Sequence, residues 1–298
     1  VDPTARIGAG NIVQPTPVRL RYLDMVLQAY RDQNGGAAMP VDVWATHVYI
    51  LPECPNFTWG AKMPPGVGDS TGCAEYVPWD NADVGIFESM LKAFRTWMAD
   101  NGFRETPLYV TEYGVLMPWD MLIFWSGKDK DAPAAKAEAD ARVVEFMERS
   151  ISFMLTKTDA ATGYPADGNR LVQRWAWYSH PDPATYNGHL YDPVTKQPTV
   201  FGNRMAAIIA AQPADVNLYA WQLRTEPASG MSRAALKNPV QVVATIVNNG
   251  NIDTRNAVAV ELYNGNPDAG GTRIATTVAG PIAGGAGLVR VSLPWTPP

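Results

Sequence analysis

A carboxylate within a short apolar segment is the first residue that could do chemistry. Glu112 stands in the segment TEYG, directly after the strand-like run LYV, so it is predicted to lie at a strand tip with Gly114 behind it to let the chain turn. A carboxylate at such a tip can act as a nucleophile. The alternative is a structural role, in which Glu112 pairs with an arginine.

Two more polar side chains occur in the segment THVY. His47 and Tyr49 are two residues apart at the end of another predicted strand, so both side chains point to the same face. Because consecutive strands are often neighbours in a sheet, we expect both to reach the Glu112 carboxylate and to hydrogen-bond it. Taken separately, each could instead be a core residue with satisfied polar atoms.

Aromatic side chains at a strand tip suit a sugar, whose flat patches of C–H bonds stack on aromatic rings. Trp175 and Trp177 lie on one face of a predicted strand. We expect Trp175 to pack in the core and Trp177 to form the floor of a glycosyl site, with His180 next to it. Tryptophans in the long loops are expected to line the cleft, with Trp119 in the binding set: Trp59, Trp79, Trp119 and Trp125.

Four strand-like runs, each followed by a helical pattern, must position these residues: ARIGAGNIV, VDVWATHVYIL, PLYVTEYGVL and LVQRWAWYS. The first helix is predicted to open at Thr16 and Pro17, and the second to stop at Asn101. Repeated βα units predict a parallel sheet over residues 1–212. Four units are half of a (β/α)8 barrel, in which catalytic groups stand at the carboxyl ends of the strands. A doubly wound sheet would need a complete glycine-rich phosphate loop, which RIGAGNIV lacks.

Residues 213–298 show a different pattern. After AAQPAD the helical period gives way to alternation, and turn signals such as Asn249-Gly250 separate about five short strands. We therefore predict a second domain, a small antiparallel β-sandwich that stops short of the usual seven strands and is truncated.

Composition limits the partners and the compartment. The net charge of −5 is spread over 298 residues without a basic block, and no apolar run is long enough to span a membrane, so neither nucleic acid nor a membrane span is expected. Cys54 and Cys73 bracket a Gly/Pro-rich stretch, which predicts a disulfide worth about 3 kcal/mol in an oxidising compartment. Two free thiols are the alternative. With three histidines, no metal site and no cofactor are expected.

In their order and spacing, the segments THVY, LYVTEYG and RWAWYS resemble strands six to eight of clan A glycoside hydrolases, the retaining (β/α)8 enzymes that include many cellulases and mannanases. The resemblance runs from Val1 to about residue 211 and implies the second half, strands five to eight, of such a barrel. It implies that Glu112 is the nucleophile, that His47 and Tyr49 contact the nucleophile and the sugar, and that Trp177 is the sugar platform.

One departure from that family concerns the acid/base, which the family carries in an Asn-Glu pair. This sequence has no such pair, so the resemblance implies that the acid/base lies upstream of Val1 and that this chain alone is inactive. Glu53 and Glu75 flank the cysteine loop and are expected to be solvated rather than to serve as the acid. The tail resembles a bacterial cell-adhesion-related Ig-like module.

The expected function is therefore that of a secreted or cell-surface bacterial glycoside hydrolase. Its substrate would be a polysaccharide or an oligosaccharide, hydrolysed by retaining double displacement without a cofactor. The C-terminal module could attach it to a cell surface. A non-catalytic extracellular protein that binds carbohydrate or cell wall is the alternative function.

Overall fold

The computed structural model describes residues 7–181, 186–226 and 240–296. The chain forms two compact units, residues 1–206 and 207–298. The predicted first strand began at residue 5, and its first two residues lie outside the described part. The elements from residue 8 to residue 210 are β1 (Gly8–Ile12), α1 (Pro17–Gln33), β2 (Val43–Val48), α2 (Val84–Asp100), β3 (Leu108–Tyr113), α3 (Trp119–Trp125), α4 (Ala135–Thr156), β4 (Arg174–Trp177) and α5 (Val200–Ala210).

The first unit is built on a parallel sheet in which strand order follows chain order, β1-β2-β3-β4. In this order each connection leads to the neighbouring strand in the same direction across the sheet. Because such connections are right-handed, the connecting helices lie on the same face. On this face Trp44 of β2 packs edge-on against Phe94 and Trp97 of α2. Tyr113 of β3 packs against Phe87 of α2 and lies near α4. The core of this unit therefore lies between the sheet and its helices.

The prediction of a partial (β/α)8 barrel is wrong. The four strands form an open sheet, and within the described residues its edge strands β1 and β4 each pair with a single neighbour. Repeated βα units specify parallel strands and their crossovers, but closure depends on strand tilt and on a register stagger around a full ring, which no local pattern encodes. The order β1-β2-β3-β4 also lacks the reversal that characterises a doubly wound sheet.

The helix boundaries that the sequence predicted are present. The α1 helix begins at Pro17 directly after Thr16, where a missing backbone N–H costs nothing. The α2 helix begins after Asp83, whose side chain accepts a hydrogen bond from the Ile86 N–H, and it ends with Asn101 as its C-terminal cap. The two helix starts fix where the loops at the carboxyl edge of the sheet stop, and the end of α2 fixes where the loop that leads into β3 begins.

The predicted disulfide is confirmed. Cys54 and Cys73 are bonded, with their Cα atoms 5.1 Å apart, and they close a loop across a sequence separation of 19 residues. The alternative of two free thiols is therefore excluded. The loop follows β2 on the carboxyl side of the sheet. The disulfide restricts the conformations of this long irregular segment.

The second unit consists of two antiparallel sheets. One has the order β5-β6-β9 and the other pairs β7 with β8. Its core contains Ala244, Ile246, Ala279, Ile282, Val291 and Leu293. The strands are β5 (Leu218–Glu226), β6 (Val240–Asn248), β7 (Val258–Asn264), β8 (Thr272–Ala279) and β9 (Gly287–Trp295).

These sheets fit the predicted sandwich only in part. Alternating residues of the two sheets share one core, as in a sandwich. The described residues form five strands, as the sequence predicted, which is fewer than the seven of an Ig-like domain, so an Ig-like fold is not shown. Across the described residues, no helix combines the length and the apolar character that a membrane crossing requires.

Candidate functional site

Glu112 lies near the carboxyl end of β3, on the face of the sheet away from the helices. Its neighbour Tyr113 points to the helix face, where it packs against Phe87 and Phe146. Because successive side chains on a strand alternate in direction, Glu112 points the other way. Its side chain is 40% exposed, so a ligand can reach the carboxylate from solvent.

Two of the predicted partners contact one oxygen of this carboxylate. The Tyr49 hydroxyl donates a hydrogen bond to Glu112 Oε2 at 2.9 Å, and His47 Nδ1 lies 3.4 Å from the same oxygen. His47 is the register partner of Glu112 across the β2–β3 pair, and Tyr49 follows β2 directly. The structure thus brings together His47, Tyr49 and Glu112, three of the residues that the sequence assigned to the site.

Tyr49 is held as a hydrogen-bond donor. Burial, and then the hydrogen bond to Glu112, raise the pKa of Tyr49 far above its usual value of 10.0. The phenol therefore keeps its proton through the neutral range and continues to donate to Glu112. Among the described residues no hydrogen bond reaches the other carboxylate oxygen, Oε1, which leaves that atom available to a ligand.

Two tyrosines that the sequence analysis missed extend this cluster. The Tyr178 ring meets the Tyr49 ring edge-on at 6.2 Å, and the Tyr186 ring lies 6.4 Å from that of Tyr178. Alternation along β4 provides the signal that could have found Tyr178. Once Trp177 faces the helices, the next side chain must face the side on which Glu112 lies.

Trp177 has the contacts of a packed residue. It is in register with Tyr113, and its ring lies edge-on to Tyr113 at 5.1 Å and 6.2 Å from Phe146 of α4. Its indole N–H donates to the Gly188 carbonyl at 2.7 Å. These contacts lie on the helix face, opposite to Glu112, so a role as sugar platform stays a prediction that no contact of this ring supports.

The two other residues predicted to bind a sugar follow β3 and β4 beyond their carboxyl ends. Trp119 is the first residue of α3 and is half-buried. His180 is exposed and packs against Tyr191, with 4.6 Å between ring centroids and the two rings tilted by 33°. Neither contacts Glu112 through any interaction seen among the described residues, so their place in the site also stays a prediction.

A close backbone approach fixes Tyr178 beside β3. The Tyr178 N–H donates to the Tyr113 carbonyl at 2.7 Å. A Cβ added to Gly114 would lie 2.2 Å from the Tyr178 carbonyl oxygen, which no side chain permits. Glycine at this position therefore allows the chain after β4 to run against the end of β3 and brings Tyr178 to the site.

Glu53 is the second carboxylate near this edge, and the expectation that it is solvated is wrong. Its side chain is fully buried, pairs with the Arg19 guanidinium and accepts a hydrogen bond from Thr16 Oγ1. Burial with a guanidinium and a hydroxyl gives Glu53 a structural role. Glu75, at the other end of the cysteine loop, is exposed as expected.

Two further observations concern metal binding and similarity to known proteins. Within the parts of the chain that the structure describes, no group of three or more His, Cys, Asp or Glu side chains is placed to hold a metal ion. The sequence matches no protein-family model and no curated protein.

Proposed function

We propose that this chain acts in glycoside hydrolysis, with Glu112 as the nucleophile of a retaining double displacement. One observation carries the proposal: a solvent-accessible carboxylate at the carboxyl edge of a parallel sheet accepts a hydrogen bond from the Tyr49 hydroxyl at Oε2, at 2.9 Å, and no hydrogen bond from the described residues reaches its other oxygen. This arrangement leaves one oxygen free to attack. The resemblance of THVY and LYVTEYG to clan A glycoside hydrolases supports the same role for Glu112.

In the proposed first step, Glu112 Oε1 attacks the anomeric carbon and the bond to the glycosidic oxygen breaks. The leaving oxygen takes a proton from a general acid, and an ester forms between the sugar and Glu112. Water then attacks the same carbon and gives its proton to the conjugate base of the general acid, and the bond between the sugar and Glu112 breaks, which releases the sugar and restores both carboxyl groups. Tyr49 holds Oε2 throughout, so that Oε1 keeps its direction of attack.

The general acid of this reaction would be a second carboxyl about 5 to 5.5 Å from Glu112. Glu53 cannot take that part, because its carboxylate is buried and already paired with Arg19. A test of Glu112 must therefore not depend on an acid. A dinitrophenolate leaving group departs without being protonated and meets this requirement.

The sugar would lie against the tyrosines of the same cluster. Tyr178 and Tyr186 follow β4 on the side of the sheet that carries Glu112, and each offers an apolar ring with a hydroxyl at its edge. A neutral polysaccharide or oligosaccharide suits such a surface, because the C–H faces of its sugars can pack on the aromatic rings. We propose this substrate class for the chain.

Covalent trapping tests the nucleophile. The full chain is incubated with dinitrophenyl glycosides that carry fluorine beside the anomeric carbon, in gluco, manno, galacto and xylo forms. Fluorine slows hydrolysis of the ester, so a labelled protein accumulates and peptide mapping locates the sugar. We expect the label on Glu112, its loss in Glu112→Gln and its retention in the exposed control Glu75→Gln. Failure of all four sugars to label the wild-type chain would contradict the proposal.

An extracellular location fits the same proposal. The Cys54–Cys73 disulfide is compatible with an oxidising compartment, and polysaccharide substrates occur outside cells. Antibodies against the chain should detect it in the culture medium or on the surface of intact producing cells. Detection only after cell lysis would contradict this location.

A second candidate, a non-catalytic carbohydrate-binding protein, is favoured by one feature of the second unit. Trp221 is 59% exposed and Tyr219 is 44% exposed, both on the edge strand β5. Exposed aromatic rings on a strand suit stacking on a polysaccharide. If this is the function, the chain binds insoluble polysaccharide, Trp221→Ala releases it, and no sugar labels Glu112.

A further inference from the structure

One buried amide joins the two segments that carry Tyr49 and Glu112. Asn81 belongs to a short 3-10 turn over Pro78–Ala82 and is 1% exposed. Its Nδ2 donates to the Ile50 carbonyl at 3.0 Å, and its Oδ1 accepts from the Leu116 N–H at 2.6 Å. The same side chain therefore bonds the chain after β2 and the chain after β3.

These bonds lie where the sheet itself no longer holds the chain. Strand β2 ends at Val48 and β3 at Tyr113, so Ile50 and Leu116 are both beyond the last residues of the ladder. The pairing of β2 with β3 is already irregular at Thr46 and His47. Other hydrogen bonds hold each segment separately: the Tyr49 N–H donates to the Val13 carbonyl at 3.3 Å, and the Asn187 N–H donates to the Met117 carbonyl at 3.1 Å. Asn81 is the residue whose side chain bonds both segments at once.

The turn that carries Asn81 is itself anchored. The Asp80 carboxylate accepts from the Val77 N–H at 2.9 Å, and Asp83 caps the first turn of α2. The turn thus ends directly at the start of a 17-residue helix packed against the sheet. Because this turn is anchored, the buried Asn81 amide holds the two segments that it bonds at a fixed position relative to α2.

We propose that Asn81 is a positioning residue, which sets the distance between the Tyr49 hydroxyl and the Glu112 carboxylate. Ile50 is the residue next to Tyr49, and Leu116 is four residues after Glu112. The effect on catalysis rests on the proposed function. The effect on the Tyr49–Glu112 hydrogen bond does not, since that bond is present in the protein without any substrate.

The first measurement follows the hydrogen bond directly. The full chain is labelled with isotopic tyrosine at the ring carbon that bears the hydroxyl, and the Tyr49 NMR signal is assigned with Tyr49→Phe. Glu112→Gln gives the signal of a weakened bond. We expect Asn81→Leu, which is similar in size and loses both bonds, to move the signal in the same direction as Glu112→Gln does.

The matched control, Gln173→Leu, removes a bond at the opposite end of β3. Gln173 Oε1 accepts from the Leu108 N–H at 2.8 Å, so Gln173→Leu also removes a side-chain bond to the backbone of β3, but at its amino end. This variant should lose stability and leave the Tyr49 signal unchanged. An equal shift in Gln173→Leu would mean that general loosening moves the signal, which would overturn the proposal.

The second measurement is the rate of trapping by the activated fluoro-sugar. We expect Asn81→Leu to lower the rate at saturating probe at least about tenfold, since a 1 Å misplacement can cost about a hundredfold. The probe concentration that gives half the maximal rate should change less. Asn81→Asp should recover part of the rate, because one carboxylate oxygen can still accept from the Leu116 N–H.

The outcomes separate the two proposals. If no sugar labels the wild-type chain, the proposed function fails and the Tyr49 signal alone decides the role of Asn81. If Asn81→Leu does not fold, Asn81→Ala, which also loses both bonds, is measured in its place. A variant that folds with the wild-type Tyr49 signal shows that Asn81 does not position the pair.

Discussion

Glu53 and Glu112 are carboxylates in opposite surroundings. Glu53 lies beyond the carboxyl end of β2, and Glu112 lies near the carboxyl end of the neighbouring strand β3. Glu53 is fully buried, paired with Arg19 and bonded by Thr16, and Gln14 Nε2 lies 3.4 Å from the same oxygen that Thr16 bonds. Glu112 is 40% exposed, and its partners among the described residues contact one oxygen only.

The difference between the two regions shows how environment assigns roles to the same side chain. A buried carboxylate with a guanidinium and a hydroxyl has its charge compensated within the protein, so it stabilises the loop that carries it. A carboxylate that a buried phenol holds at one oxygen is oriented but not neutralised, and a substrate can still approach its other oxygen. Four variants and one pH dependence test this distinction.

The largest effect is expected for Glu112→Gln. An amide cannot form the glycosyl ester, so trapping should fall at least about a thousandfold, which corresponds to roughly 4 kcal/mol. The free energy of unfolding should change by less than about 1 kcal/mol, because the side chain is partly exposed. Mass spectrometry and denaturant unfolding measure the two quantities. A trapping rate close to wild type would remove the distinction between the two glutamates.

The opposite pattern is expected for Glu53→Gln. The Arg19 guanidinium would stay buried without its counter-charge, which should lower the stability of the first unit by about 3 kcal/mol. Hydrogen exchange of peptides from this unit measures that loss, with the exposed Glu75→Gln as the control. Trapping per folded molecule should stay near wild type. Loss of trapping in a fully folded Glu53→Gln protein would show that Glu53 takes part in the chemistry.

Removal of the disulfide sharpens the comparison further. Cys54→Ser combined with Cys73→Ser opens the loop that begins one residue after Glu53, and the entropy of the opened loop should cost about 3 kcal/mol. Exchange should rise across residues 53–74 and stay low around residue 112. Equal exchange in both regions would mean that they share one cooperative unit rather than two separate supports.

The smallest effect is expected for Tyr49→Phe, which removes one hydrogen bond to a charged group. Such a bond is worth about 1.5 kcal/mol or more, so trapping should fall about tenfold. Tyr22→Phe, in helix α1, is a control for the loss of a hydroxyl. An unchanged rate in Tyr49→Phe would show that the phenol does not orient the nucleophile.

The same tyrosine gives a prediction for alkaline pH. Its pKa is raised in the folded protein above its ordinary value of 10.0, so ionisation favours the unfolded chain. The stabilisation is complete below about pH 10 and is lost as the pH rises further, by at most about 1.4 kcal/mol per pH unit. The stability difference between wild type and Tyr49→Phe should therefore shrink above that pH. A constant difference would contradict the raised pKa.

Much of the first unit could be predicted from local sequence signals. Four strand-like runs, the Thr16–Pro17 helix start, the Asn101 helix end and the cysteine pairing all depend on residues close in the chain or on one short loop. The proximity of His47 and Tyr49 to Glu112 followed from alternation and strand order, both of which are local rules.

What the sequence did not reveal depends on distant contacts. Closure of the sheet is a property of the whole ring of strands, so the barrel was predicted wrongly. The spacing of Trp175 and Trp177 correctly placed both on one face, but only packing against Phe146 shows that this is the helix face. Glu53 looked solvated because Arg19, its partner, is 34 positions earlier in the chain.

The contact between Gly114 and Tyr178 limits how the site could be redesigned. Because any Cβ at residue 114 would collide with the Tyr178 carbonyl, a library that randomises this stretch would consist mostly of displaced loops. Variation aimed at a new sugar should therefore leave residue 114 alone and diversify the rings at 178 and 186. This contact fixes the backbone at residues 114 and 178, and only the neighbouring side chains can be exchanged.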